Sequence, residues 1–173
     1  GALAKGSNRI FFSPPETEMI ESWTGWDPLG QDAAQNRFPE DQLRAALSSQ
    51  PGFKYKSDWL PDMRTLVDND SVDIGDYSFV CVETPGHTRG HICLYEPDKK
   101  ILLSGDHILG DITPNIQCWS DDENPLKDYL ASLDKASGLD VKLTLPGHRR
   151  VITDLYGRIN ELRGHHQARC AEV

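Results

Sequence analysis

Thr84-Pro85-Gly86-His87-Thr88-Arg89-Gly90-His91 is the stretch on which the reading of the fold turns. The residues before it, Tyr77 to Thr84, include Phe79-Val80-Cys81-Val82, apolar without alternation, as in a strand covered on both faces. Pro85 and Gly86 stop that strand, because Pro has no N–H to give a ladder and Gly tolerates positive φ. His87 is thereby delivered at a strand's end, where α/β sheets present side chains to ligands.

The same device recurs twice. Lys100-Ile101-Leu102-Leu103-Ser104 is followed by Gly105 and then Asp106; Val141-Lys142-Leu143-Thr144-Leu145 is followed by Pro146-Gly147 and then His148. A single Gly-His of this kind is ordinarily a turn. Three apolar runs that each end in Gly and then His, Asp and His point instead to a metal site. Neutral imidazoles and a carboxylate suit zinc or another divalent first-row ion. His87, Asp106 and His148 are therefore the candidate ligands.

In that order and at roughly that spacing, TPGHTRGH, LLSGDHIL and LPGHRRVI resemble the metallo-β-lactamase superfamily, most of all its glyoxalase-II-like hydrolases. The resemblance runs from about Thr65 to the C-terminus. It implies an α/β fold, the αββα sandwich of that family. It also implies two cations, zinc by default, with iron or manganese used by some relatives. His87 would bind the first, Asp106 would bridge both at the catalytic centre, and His148 would bind the second. His91 matches a position that supports the site. The implied reaction is hydrolysis of an ester, thioester, lactone or phosphodiester by a metal-activated water. The chain has no G-x-S-x-G that would supply a nucleophile of its own.

The chain departs from the family in lacking the H-x-H-x-D-H motif, which none of its six histidines (His87, His91, His107, His148, His165, His166) can form. In the family that motif lies upstream, and residues 1–12 read like the end of the helix and strand that follow it. The expectation is a sandwich incomplete on its N-terminal side, with a C-terminal extension such as a small winged helix also lying beyond Val173. These 173 residues alone are then expected to hold metal poorly, to be inactive, and to self-associate as a homo-oligomer or rely on upstream residues.

Length and composition bound the rest. A chain of 173 residues suits one domain, 1–173, that buries about 70% of its unfolded surface. Eighteen basic against twenty-seven acidic residues give −9, which disfavours nucleic acid as a partner and leaves a small-molecule substrate. No apolar run approaches the roughly 20 residues of a membrane span. The four cysteines, Cys81, Cys93, Cys118 and Cys170, form no CxxC pair, and a reducing cytoplasm is the expected setting.

Strands are expected at 9–12, 65–67, 71–74, 77–84, 91–95, 100–104 and 141–145, and helices near 16–23, 39–49, 124–136 and 154–170. The segment 13–64 reads as a helical insert. It carries Trp23, Trp26 and Trp59, which either form a lid over a substrate pocket or, the preferred reading for any one of them, pack on the sheet. His107 should point away from the site, and His165 and His166 should be solvated. Arg89, Arg149 and Arg150 stand beside the candidate ligands and either meet an anionic substrate group or are surface charges. Asn115, in the loop after Asp106, either lines the pocket or belongs to an ordinary turn. Two readings outside hydrolysis remain: an iron-dependent redox protein on the same fold, and a binding module whose site has decayed.

Overall fold

The computed structural model describes residues 9–22, 39–49, 63–116, 118 and 123–172. Trp23, Trp26 and Trp59 of the expected insert lie outside the described residues. The elements, in order, are β1 (Ile10–Phe12), α1 (Pro14–Ser22), α2 (Glu40–Ser49), β2 (Met63–Thr65), β3 (Ser71–Ile74), β4 (Tyr77–Glu83), β5 (Ile92–Glu96), β6 (Ile101–Gly105), α3 (Pro125–Ser137), β7 (Leu143–Pro146) and α4 (Leu155–Ala171).

The chain divides into two compact units. One comprises residues 1–11 and 17–64; among its described residues are α2, most of α1 and the beginnings of β1 and β2. The other comprises 12–16 and 65–173 and holds a five-stranded sheet in the order β3-β4-β5-β6-β7 with helices α3 and α4. β3 to β6 are antiparallel neighbours, and β7 lies parallel to β6. β4, β6 and β7 therefore run in one direction, and their C-terminal ends share one edge of the sheet.

Helices α3 and α4 supply the other half of this unit's core. Tyr129, Leu133 and Ala136 of α3 and Leu155, Ile159 and Leu162 of α4 are buried against Val82, Cys93 and Leu102 of the sheet. Each large side chain of this set contributes about 1.5–3 kcal/mol of apolar burial. Both helices start where the sequence caps them. The Asn124 side chain accepts from the Lys127 N–H at 3.0 Å, with Pro125 at the first helical position. The Asp154 side chain accepts from the Gly157 N–H at 2.9 Å.

Several boundaries differ from the sequence expectations, each for a local reason. β2 ends at Thr65 rather than Val67, because the Val67 N–H turns to the Asp70 carboxylate (2.9 Å) and leaves the ladder. β5 begins at Ile92 rather than His91, whose N–H faces the Thr88 carbonyl within the preceding turn. α1 begins at Pro14, two residues early, since prolines are tolerated in a first turn whose N–H groups have no helical partner. His166 corrects the expectation of a solvated ring: it packs edge-on against Tyr129, with centroids 5.3 Å apart. Burial lowers its pKa below the usual imidazole value.

Candidate functional site

The common edge of β4, β6 and β7 brings His87, Asp106 and His148 together. His87 Nε2 lies 3.6 Å from Asp106 Oδ2, and His148 Nε2 lies 3.5 Å from Asp106 Oδ1. Each oxygen of one carboxylate thus faces a different imidazole. Both distances exceed the 2.7–3.2 Å of an N–H···O hydrogen bond. They match the separation of two ligands of one tetrahedral ion, about 3.4 Å for bonds of about 2.0–2.2 Å. Among the described residues no three His, Cys, Asp or Glu side chains are disposed to hold a single ion. What these three make is two pairs that share Asp106.

Each of the three is held by glycine and backbone. Gly86, at φ +136, lies so close to α3 that an added Cβ would come 2.5 Å from the Cα and Cβ of Tyr129. The Ser132 hydroxyl donates to the Pro85 carbonyl at 2.8 Å. His87 Nδ1 faces the Asn115 carbonyl at 2.7 Å, an acceptor only, so Nδ1 carries the proton and a neutral His87 presents a bare Nε2 to Asp106. Asn115 therefore acts through its backbone oxygen. The ladder between β6 and β7 is irregular at Gly105, which has φ +50, and the Gly147 N–H donates to the Gly105 carbonyl at 2.8 Å. Asp106 and His148 thus leave two adjoining strand ends.

His91 faces the main chain of Asp106. The Asp106 N–H donates to His91 Nε2 at 3.2 Å, so Nδ1 carries the ring proton and donates to Thr84 Oγ1 at 2.8 Å. Thr84 lies 3.3 Å from Cys93 Sγ, and the Cys93 thiol donates to the Ser104 carbonyl at 3.6 Å. Burial, together with the charge His87 could carry and against the pull of Asp106, lowers the His91 pKa to about 4. The ring is neutral, as this pattern requires. His107 is fully buried, with its ring 5.1 Å from that of Tyr129, and burial lowers its pKa to about 3.

The arginines are partly engaged. Arg89 pairs with Glu123 at 3.0 Å and Arg150 with Asp111 at 2.6 Å. Arg149 has a left-handed backbone, φ +71, immediately after His148. Two residues that sequence reasoning passes over also reach the ligand turn. The Ser13 hydroxyl donates to the Gly90 carbonyl, and Glu16 Oε1 accepts from the Gly90 N–H. Nothing local in the sequence marks either one.

Comparison with known proteins identifies the family. The profile of the Metallo-beta-lactamase superfamily matches residues 17–148. The chain belongs to that superfamily. A hydroxyacylglutathione hydrolase from Rhizobium etli is 35% identical over 151 residues, covering 82% of this chain and 57% of its own. An atrochrysone carboxyl ACP thioesterase from Aspergillus fumigatus is 28% identical over 124 residues, covering 72% and 35%. The chain thus spans between a third and somewhat over half of the length of these two relatives. Among solved structures, the metallo-beta-lactamase family protein TTHA1429 from Thermus thermophilus superposes with a TM-score of 0.77 at 27% identity. That match covers 93% of this chain and 53% of the other. The fold is the mixed α/β metallo-beta-lactamase fold.

Proposed function

We propose that the protein is a hydrolase of this superfamily with a two-cation centre on His87, Asp106 and His148, acting on an acyl thioester. The observation that carries the reading is the 3.6 Å and 3.5 Å facing of His87 and His148 across the two oxygens of Asp106. Without a cation between them, a bare imidazole lone pair and a carboxylate would be two acceptors turned on one another. Two imidazoles and a bridging carboxylate form a donor set that fits zinc, and also iron or manganese. Cations bound there would lower the pKa of a water towards about 7 and polarise the acyl oxygen.

The chain's own residues set up that chemistry. The Asn115 carbonyl fixes the His87 tautomer, and the neutral ring of His91 holds the Asp106 backbone. The hydrolase class is supported by the names of the two relatives above, one of them a thioesterase. The expected substrate is a small molecule, and among the described residues no helix is long and apolar enough to cross a membrane.

The test is metal analysis of the intact protein and of its Asp106→Ala variant, with turnover of a short-chain acyl thioester. Two divalent ions per chain, lost together with turnover in the variant, is the expected result. Unchanged metal stoichiometry in Asp106→Ala would refute the bridging role. A strong visible absorption from bound iron with no hydrolysis would favour the redox reading.

A further inference from the structure

We propose that Ser13 and Glu16 form a positioning clamp on the turn that carries His87, and so set how tightly the centre holds its cations; this rests on the metal-centre reading above. Residues 12–16 belong to the same compact unit as the site, although Ser13 and Glu16 stand 77 and 74 positions before Gly90.

The turn between β4 and β5 is closed at its base by Thr84, whose N–H donates to the His91 carbonyl at 2.9 Å and whose hydroxyl accepts from His91 Nδ1 at 2.8 Å. The Gly86 N–H reaches the Thr88 carbonyl at 3.0 Å, and the His91 N–H reaches the same oxygen at 3.5 Å. Further hold comes from outside. At the near end Ser132 of α3 binds the Pro85 carbonyl. At the far end both polar groups of the Gly90 backbone are taken. Its carbonyl accepts from Ser13 Oγ at 2.5 Å, and its N–H donates to Glu16 Oε1 at 3.1 Å.

Ser13 and Gly90 are buried, so a lost partner would not be replaced by bulk water. The fit is close. A Cβ on Gly90 would lie 2.7 Å from Glu16 Cγ and 2.9 Å from Glu16 N, and nearer still to Ser13 Oγ. Position 90 thus needs glycine because another segment lies against its backbone. His87 stands between the two pinned ends of the turn.

Glu16 acts through Gly90, and it does so with a charge-assisted bond, about twice as strong as a neutral one. Ligand constellations tolerate about 0.5 Å of misplacement, and loss of partners that orient ligands weakens metal binding about 10- to 100-fold. That range is the expectation for Glu16→Ala. Glu16→Gln keeps an acceptor oxygen at the same reach and should recover most of the affinity.

The experiment measures, in the intact protein, the zinc dissociation constant of wild type, E16A and E16Q by chelator competition. Alongside it run hydrogen exchange at the Gly90 amide and thermal unfolding of the zinc-free proteins. The expected result is weaker binding and faster Gly90 exchange in E16A, a zinc-free melting temperature lowered in E16A because the buried Gly90 N–H loses its partner, and recovery of all three in E16Q. If wild type holds zinc and E16A holds it equally well, the clamp is refuted and the metal centre stands. If E16Q is as weak as E16A, the hydrogen bond is not the cause and the clamp is again refuted. A wild-type protein that holds no divalent ion would overturn the metal-centre reading and this inference with it.

Discussion

Thr84→Val is the sharpest probe of the support beneath Asp106. Thr84 has no exposed surface, and its hydroxyl is the acceptor for the His91 Nδ1–H at 2.8 Å. Valine keeps the shape and removes that oxygen. The His91 N–H is then left buried without a partner, which costs about 1–3 kcal/mol. The ring could escape by moving its proton to Nε2, but Nε2 is the acceptor for the Asp106 N–H at 3.2 Å. Two donors would then face each other, and Asp106 would lose its hold. Either route costs roughly 2 kcal/mol, or about 4–8 °C in melting temperature for a chain of this size. The assay is urea and thermal unfolding of the metal-free protein, with the His91 tautomer read from ring nitrogen NMR. Thr84→Ser, which keeps the oxygen, should lie near wild type. A Thr84→Val protein within about 0.5 kcal/mol of wild type, its His91 still protonated at Nδ1, would refute the reasoning, because the buried donor would then cost nothing.

Gly147→Ala should lower zinc stoichiometry, because the new Cβ would lie 2.7 Å from Asp106 Oδ1; full occupancy in the variant would show that the carboxylate has room to move. Thiol reagents at neutral pH should modify the exposed Cys118 and Cys170 and spare the buried Cys81 and Cys93; four rapid modifications in the native protein would contradict this burial. Burial, helped by nearby acidic groups, pushes the Cys81 thiol up to about 11, and burial against the pull of Thr84 pushes Cys93 up to about 12. Unfolded thiols ionise near pH 9, whereas these two stay protonated in the folded chain. Stability from this source is therefore whole below about pH 9 and falls above it, by up to about 1.4 kcal/mol per pH unit for each thiol until its folded pKa is reached. Unfolding titrations of wild type and Cys93→Ala should diverge above about pH 9; parallel curves would exclude Cys93 as a cause.

The three strands that carry the site are legible because each one closes on proline or glycine, which weaken a ladder. Pro85-Gly86, Gly105 and Pro146-Gly147 close β4, β6 and β7, and the structure uses Gly86 and Gly105 at positive φ. Boundaries slip by one or two residues where a side chain captures a main-chain group. The Asp70 carboxylate on the Val67 N–H is such a case, and no periodicity contains it. His166 misleads because a helical histidine beside a second one looks solvated until a tertiary neighbour, here the Tyr129 ring, is in place.

The candidate site divides along the same line. That three side chains meet follows from topology. β4, β6 and β7 share a direction, so the residues that follow them share an edge, and this much can be read from three apolar runs with three glycine exits. How closely they meet depends on groups with no local signature. The Asn115 carbonyl that orients His87 is an atom that any residue carries, so the residue type at 115 holds no information about it. Ser13 and Glu16 meet Gly90 from 77 and 74 positions away, and in the sequence they read as an ordinary helix start. In this chain the chemistry of the site is written beside its strand ends. The sub-ångström placement that such chemistry demands is supplied from elsewhere in the fold, and it should be tested by mutating the remote partners as well as the three side chains they position.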